Sequence, residues 1–220
     1  MSKQPLFTHL IWDFDGTLYD SYQQITCAML AALREWMPGD ELTGTSFDVL
    51  ALLKRSVYYA SLVLAERFFL PAQDLLDSFR KHHSAISEFP LFEGAARCLQ
   101  ALRERGCKHY LYTHRDRGAL RQLEKDGLLG LFTGAITRED PYPDKPAPDA
   151  LEALFEKWGI DSSSVVMIGD RDLDIEAGHR AGIQGILIDP QGFFSDLAVE
   201  YRVQSILEVS EIILRQGFRS

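Results

Sequence analysis

Leu10-Ile11-Trp12-Asp13-Phe14-Asp15-Gly16-Thr17 is an apolar run that ends in two carboxylates and a turn. Side chains alternate along a strand with a period of two, so Asp13 and Asp15 point the same way. Gly16-Thr17 stops the strand and turns the chain. The stretch therefore sets a pair of acids on a sharp loop at the carboxyl end of a buried strand, the edge of an open α/β sheet where ligands bind. Asp-x-Asp-Gly also opens calcium loops, which require oxygen ligands at alternate positions and a Glu at the twelfth. Here Thr17, Tyr19 and Ser21 hold the later alternate positions and Gln24 the twelfth. A helical pattern before the loop is missing as well. Taken alone, the stretch leaves two readings open, an ordinary turn and a catalytic pair.

Outward from this loop the chain alternates strand-like and helix-like segments. Helical patterns cover 22–36, 46–69 and 72–87, with breaks at Met37-Pro38-Gly39-Asp40 and at Pro71, and no strand pattern falls in 22–88. From Phe89 the grammar changes. Helices are expected over 94–105, 117–126, 149–158, 173–181 and 205–215, several of them closed by Gly106, Gly127, Gly159 and Gly182. Strands are expected over 108–112, 133–137, 165–168 and 185–188. Strands alternating with helices of this length imply a parallel sheet with right-handed crossovers. The fold class is therefore α/β, a Rossmann-like parallel sheet core interrupted by an inserted all-helical block. The expected division is 1–20 with 89–220 as the core and 21–88 as the helical insert.

Composition narrows the function. The 220 residues suffice for one substantial core and a smaller insert. A formal net charge of −9 argues against a general nucleic-acid binder but leaves room for an anionic small substrate in a local positive pocket. Cys27, Cys98 and Cys107 are odd in number and form no Cys-x-x-Cys pair. They read as small apolar residues in a reducing compartment. No stretch has the pattern of a signal peptide or the length of a bilayer span. The expectation is a cytoplasmic protein with neither nucleic acid nor membrane as partner, of unknown oligomeric state.

The expected strand ends carry the chemistry. The second strand runs into Thr113-His114-Arg115, and the fourth into Gly169-Asp170-Arg171-Asp172-Leu173-Asp174. The third leads to Asp140-Pro141-Tyr142-Pro143-Asp144-Lys145-Pro146-Ala147-Pro148, too rich in proline for regular structure and holding one lysine just before a helix. In a parallel sheet these ends share one edge. Asp13, Asp15, Asp170 and Asp174 crowded there repel, so something positive has to offset them. A hard cation with oxygen ligands, Mg2+, fits that inventory, because no His/Cys cluster suits zinc. With Lys145, a threonine hydroxyl and backbone N–H groups at a turn, it makes a receptor for a phosphoryl group. One aspartate beside the metal can attack phosphorus, and a second can serve as general acid and then base.

On these four motifs the chain resembles the haloacid dehalogenase (HAD)-like hydrolase superfamily, specifically its helical-cap phosphatases of the phosphoglycolate phosphatase kind. The resemblance spans nearly the whole chain, through Asp13-Phe14-Asp15-Gly16-Thr17, Thr113 after Tyr110-Leu111-Tyr112, Lys145 in Lys-Pro-Ala-Pro-Asp, and Gly169-Asp170 with Asp174 four residues on. It implies that Asp13 is the nucleophile and a metal ligand. Asp15 is the general acid/base and offers its carbonyl to the metal. Thr113 and the N–H of His114 hold phosphoryl oxygens, and Lys145 neutralises Asp13 and the transferring group. Asp170 binds Mg2+ directly, and Asp174 directly or through water. Gly16 permits the turn at the substrate, and Thr17 supports the loop by hydrogen bonding. The acid at Asp15 sets the chain apart from dehalogenating relatives and transport ATPases, which lack one there.

The expected function is hydrolysis of a small phosphorylated metabolite through an aspartyl-phosphate. The alternatives are a sugar-phosphate mutase like beta-phosphoglucomutase, a nucleotidase or pyrophosphatase, and a regulatory module that has kept the HAD fold without its activity. His114 and Arg115, after the threonine, could touch the substrate; that reading is preferred for His114 only, with Arg115 taken as a surface residue, and Arg171 and Asp172 read as facing away or pairing together. Lys54, with Arg55 beside it, is a helix cation that could meet a substrate anion or simply sit on a solvated face.

Overall fold

The computed structural model describes residues 7–39, 42 and 44–215, without the side chain of Arg215. The chain divides into two compact units, one formed by the described residues through Tyr19 together with those from Leu91 onward, the other by Asp20–Pro90.

The first unit is a parallel sheet of β1 (His9–Trp12), β2 (Lys108–Tyr112), β3 (Phe132–Ile136), β4 (Val165–Gly169), β5 (Gln184–Ile188) and β6 (Tyr201–Val203), in the order β3-β2-β1-β4-β5-β6. Leu10, Ile11 and Trp12 are fully buried, because β1 lies mid-sheet with both faces covered, the situation that produces continuous apolar runs. On one face Leu10, Trp12, His109 and Leu111 alternate toward α5 (Ala95–Glu104), where the His109 ring meets the Leu99 carbonyl at 3.0 Å. On the other, Ile11, Tyr110, Tyr112 and Met167 pack with Ala150, Leu151 and Leu154 of α7 (Asp149–Trp158). The remaining helices of this unit are α6 (Gly118–Lys125), α8 (Asp172–Arg180) and α9 (Ile206–Arg215).

Register carries this arrangement to the site. Trp12 lies opposite Leu111 on one side and Ile168 on the other. The residues after Trp12, Tyr112 and Ile168 therefore leave the sheet at nearly one level. β1 is also where the chain reverses direction across the sheet: β2 and β3 follow on one side, β4 to β6 on the other. Such a switch point opens a crevice at the carboxyl ends of the strands.

The second unit contains no strand among its described residues and is built of α1 (Tyr22–Arg34), α2 (Ser46–Arg55), α3 (Val57–Phe68) and α4 (Ala72–Ser84). Met29, Leu33, Val49, Leu53, Ala60, Leu64, Leu75 and Phe79 meet in its core. Their four-residue spacings within each helix are those of one helix face.

Two elements differ from expectation. The pattern over 46–69 is broken at Ser56, whose extended backbone (φ −171°, ψ 158°) ends α2 and whose hydroxyl accepts the Tyr59 N–H at 2.9 Å to start α3. The apolar period continues across the break, so the pattern alone hides it. β6 was unexpected. It has three residues and pairs only with β5, too short for any alternation to register.

Candidate active site

Asp13 follows β1 directly, and its N–H donates to the Ile168 carbonyl at 2.9 Å. The loop then closes on itself. Gly16, at φ 71°, donates its N–H to the Tyr19 carbonyl, while the N–H groups of Leu18 and Tyr19 donate to the Phe14 carbonyl. The left-handed backbone explains the glycine, and the Gly16 N–H is taken up within the turn. The Thr17 hydroxyl is buried without a hydrogen-bond partner among the described residues. The turn is closed by backbone groups, and the hydrogen bonding expected of Thr17 is absent there.

Lys145 ties the distant motifs together. Its ammonium, fully buried, donates to Asp13 Oδ1 at 2.7 Å, Asp174 Oδ1 at 2.7 Å and the Tyr112 carbonyl at 2.8 Å. It also lies 4.6 Å from the centre of the Tyr112 ring. Burial alone would push the ammonium down, but Asp13 and Asp174 outweigh it and hold Lys145 above the ordinary lysine range. Asp174 responds in the opposite sense. Burial favours its neutral form, yet Lys145 and Arg171 prevail and keep it below the usual carboxylate range. Its second oxygen accepts the N–H groups of Asp170 at 3.2 Å and Arg171 at 3.1 Å. Gly169 is required beside it, because a side chain there would run into Asp174.

One ammonium does not balance the acids. Asp13, Asp170 and Asp174 are buried, and an oxygen of each lies within 4.8 Å of the others. Burial, reinforced by Asp174 and Asp170 and opposed by Lys145, pushes Asp13 up to about 7. Excess negative charge among hard oxygen donors is the condition a divalent oxygen-liking cation relieves.

Thr113 follows β2, with its N–H on the Ile136 carbonyl and its hydroxyl oxygen accepting the Arg115 N–H at 3.1 Å. The His114 ring accepts the Lys145 backbone N–H at Nε2, 2.9 Å away. Burial, with Lys145 and Arg171 nearby, lowers its pKa to about 4. The ring is therefore neutral at pH 7, and because Nε2 accepts, its proton sits on Nδ1. This histidine braces the lysine loop. The charge of Arg171 is felt by Asp13, His114 and Asp174. Asp172 accepts the N–H of Leu173.

The contact of Arg115 with Asp15 is one the sequence does not display. The Arg115 Nε and Nη2 grip the Asp15 carboxylate, with contacts of 2.7 to 2.9 Å to both oxygens. Both side chains are mostly covered, at 18% and 23% exposure. The signal lay in the pairing of β1 with β2. Asp15 is three residues past Trp12 and Arg115 four past Leu111, and those two residues are partners. Strand adjacency, which the sequence does not display, is needed to see it. Lys54 lies in the helical unit, buried, with its ammonium 4.1 Å from the centre of the Tyr22 ring, and so is not on a solvated face.

A parallel sheet with paired aspartates after its first strand, a threonine after the second, a buried lysine and a Gly-Asp pair after the fourth defines a hydrolase of one architecture. The chain belongs to the haloacid dehalogenase-like hydrolases, whose family pattern matches residues 10–188. It is 27% identical to the phosphoglycolate phosphatase of Aquifex aeolicus, covering 81% of this chain and 83% of that one. It is 26% identical to the pyrophosphatase PpaX of Bacillus velezensis, covering 80% of each. Among solved structures, a hydrolase from Streptococcus pneumoniae superposes with a TM-score of 0.67 at 28% identity, over 94% of this chain and 98% of that one. A HAD-superfamily hydrolase of subfamily IA from Geobacter sulfurreducens shares the fold, with a TM-score of 0.71 at 22% identity, over 97% of this chain and all of the other.

Proposed function

We propose that the protein is a Mg2+-dependent phosphatase that transfers the phosphoryl group of a small phosphorylated metabolite to Asp13 and then to water. The observation that carries this reading is the ammonium of Lys145 held 2.7 Å from both Asp13 and Asp174. It fixes the Asp13 carboxylate in one orientation and sets a buried positive charge where phosphoryl oxygens would gather.

Asp13 attacks phosphorus, and the leaving oxygen departs on the opposite side. Asp15, two residues along the same loop, protonates that oxygen and later takes a proton from water as it attacks the aspartyl-phosphate. Thr113 uses its oxygen to accept the Arg115 N–H, which leaves its hydroxyl proton to donate to a phosphoryl oxygen. The N–H of His114 donates to another, while the His114 ring keeps Lys145 in place. Asp13, Asp170 and the Asp15 carbonyl would hold Mg2+, with Asp174 reached through water because its oxygens already serve Lys145 and two backbone N–H groups. Bound there, the cation would supply charge neutralisation for the phosphoryl group and the attacking carboxylate. The helical unit, Asp20–Pro90, is assigned the role of a cap that contributes to substrate choice. Relatives named for phosphoglycolate and for pyrophosphate point to a small anionic substrate of that kind. The free thiols Cys27, Cys98 and Cys107 suit a cytoplasmic setting.

The test is phosphate release from an aryl phosphate with and without Mg2+. Chelation should stop it, Asp13→Asn should reduce it by about 10³-fold or more, and Asp15→Asn by about 10²- to 10⁴-fold. Undiminished turnover in Asp13→Asn would overturn the nucleophile.

A further inference from the structure

We infer that Arg115 is a specificity-determining residue that binds a second anionic group on the leaving side of the substrate, a carboxylate or a phosphate. The inference rests on the phosphatase reading above, and specifically on Asp15 as the residue that meets the leaving oxygen.

Arg115 is built into the site. Its backbone N–H is fixed on Thr113 Oγ1 at 3.1 Å. Its guanidinium lies over the Phe14 ring, 5.4 Å from the centre. Phe14 stacks at 4.2 Å on Tyr19, whose hydroxyl donates to Asp126 at 2.7 Å. A guanidinium backed by an aromatic stack cannot swing freely, and ordering its side chain before the substrate arrives removes part of the entropic cost of binding. Its fork is aimed along one direction, and at the end of it sits the Asp15 carboxylate, met through Nε and Nη2.

That geometry shows what the fork recognises. Two N–H donors in one plane match the two oxygens of a carboxylate or of a phosphate, and bind either more tightly than a neutral group. A leaving oxygen near enough to receive a proton from Asp15 sits within two hydrogen-bond lengths of the same fork. When the leaving group carries its own anion, that anion replaces Asp15 in the fork and Asp15 turns to the leaving oxygen. When the leaving group is an uncharged alcohol, nothing replaces Asp15. Substrates with a second anion are thereby favoured twice, by binding and by releasing the proton-transferring carboxylate from its ion pair. A surface arginine would do neither.

The experiment compares kcat/KM for three substrates of the purified full chain with Mg2+: a two-carbon hydroxy-acid phosphate, pyrophosphate and ethyl phosphate, which lacks the second anion. The expected preference for at least one anionic substrate over ethyl phosphate is about 10- to 100-fold, the value of hydrogen bonds to charged groups. Arg115→Gln should collapse the ratio toward unity, whatever happens to the individual rates. Arg115→Lys, which keeps the charge without the fork, should leave an intermediate ratio. The arms with carboxylate and pyrophosphate identify which anion fits. A ratio equal in wild type and Arg115→Gln overturns the inference, even if all rates fall together. Should Arg115→Gln fail to fold, the ratio in Arg115→Lys decides: unchanged overturns, reduced supports. Calorimetric binding to Asp13→Asn separates this from the phosphatase reading. Tighter binding of the hydroxy-acid phosphate or pyrophosphate than of ethyl phosphate, lost in the Asp13→Asn/Arg115→Gln double variant, supports the role of Arg115 even with no turnover. Equal binding of all three overturns it.

Discussion

Gly169 is where the backbone presses closest on the candidate site. The Asp174 carboxylate lies against its α-carbon, at the point where a β-carbon would project. Alanine there must displace Asp174, and with it one of the two carboxylates that hold the Lys145 ammonium. Overpacking of this kind costs about 1–3 kcal/mol. On the proposed function the loss in activity should be larger than that suggests, on the order of a hundredfold, because misplacing a group of the site by about an ångström is enough. Urea unfolding and phosphate release on Gly169→Ala measure the two effects separately; activity near that of wild type would mean that Lys145 does not depend on Asp174. At this scale the convergence of Asp13, Lys145, Asp170 and Asp174 was legible, because the aspartates follow strands or open a helix and the lysine stands in a proline-rich loop just before one. The contact of the His114 ring with the Lys145 N–H was not legible. Nor was the grip of Arg115 on Asp15. Both depend on which strand ends and loops become neighbours, and a single sequence is silent on that.

The helices of the second unit show where reading by elements runs short. A periodic apolar pattern reports which face is buried and does not report a one-residue interruption on the exposed side, so α2 and α3 merge in sequence and separate at Ser56. The Ser56 hydroxyl caps α3, and Ser56→Ala should cost about 1 kcal/mol. The other end of the same helix carries an opposite opportunity. Phe69 closes α3 at φ 56°, and the Leu70 N–H reaches back to the Ala65 carbonyl at 2.8 Å. Left-handed backbone costs a residue with a β-carbon about 1–2 kcal/mol, and glycine escapes that at a smaller entropic cost. The Phe69 side chain is 96% exposed, so little burial is lost with it. Phe69→Gly should therefore stabilise the protein by about 0.5–1 kcal/mol. Denaturant midpoints of the two variants should move in opposite directions. A Phe69→Gly midpoint below that of wild type would show that the ring contributes more than its exposure indicates.

Across the whole molecule, alternating strand and helix patterns fixed a parallel α/β core, but not the order β3-β2-β1-β4-β5-β6. Order depends on which crossovers pack on which face. That packing is paid for partly with a buried histidine. His109 lies mid-sheet with no exposure; Nδ1 accepts the Trp12 indole N–H at 3.0 Å, and Nε2 meets the Leu99 carbonyl at 3.0 Å. With Nδ1 accepting, Nε2 carries the proton and the ring is neutral. Burial lowers its pKa to about 4, although the Leu99 carbonyl opposes the shift. The unfolded chain, with a histidine near 6.5, binds a proton over a range where the folded one does not. Stability linked to His109 is therefore complete above about pH 6.5 and is lost as pH falls toward 4, by up to about 3 kcal/mol. His109→Gln supplies a donor and an acceptor without titrating. It should be less stable than wild type at pH 7, where the native ring fits best, and should lose less between pH 7 and pH 4.5. Other groups titrate in both proteins, so the measured quantity is the difference between the two pH profiles of the denaturation midpoint. Parallel profiles would mean that His109 accepts a proton without leaving the fold, and that the acid lability of this sheet arises elsewhere.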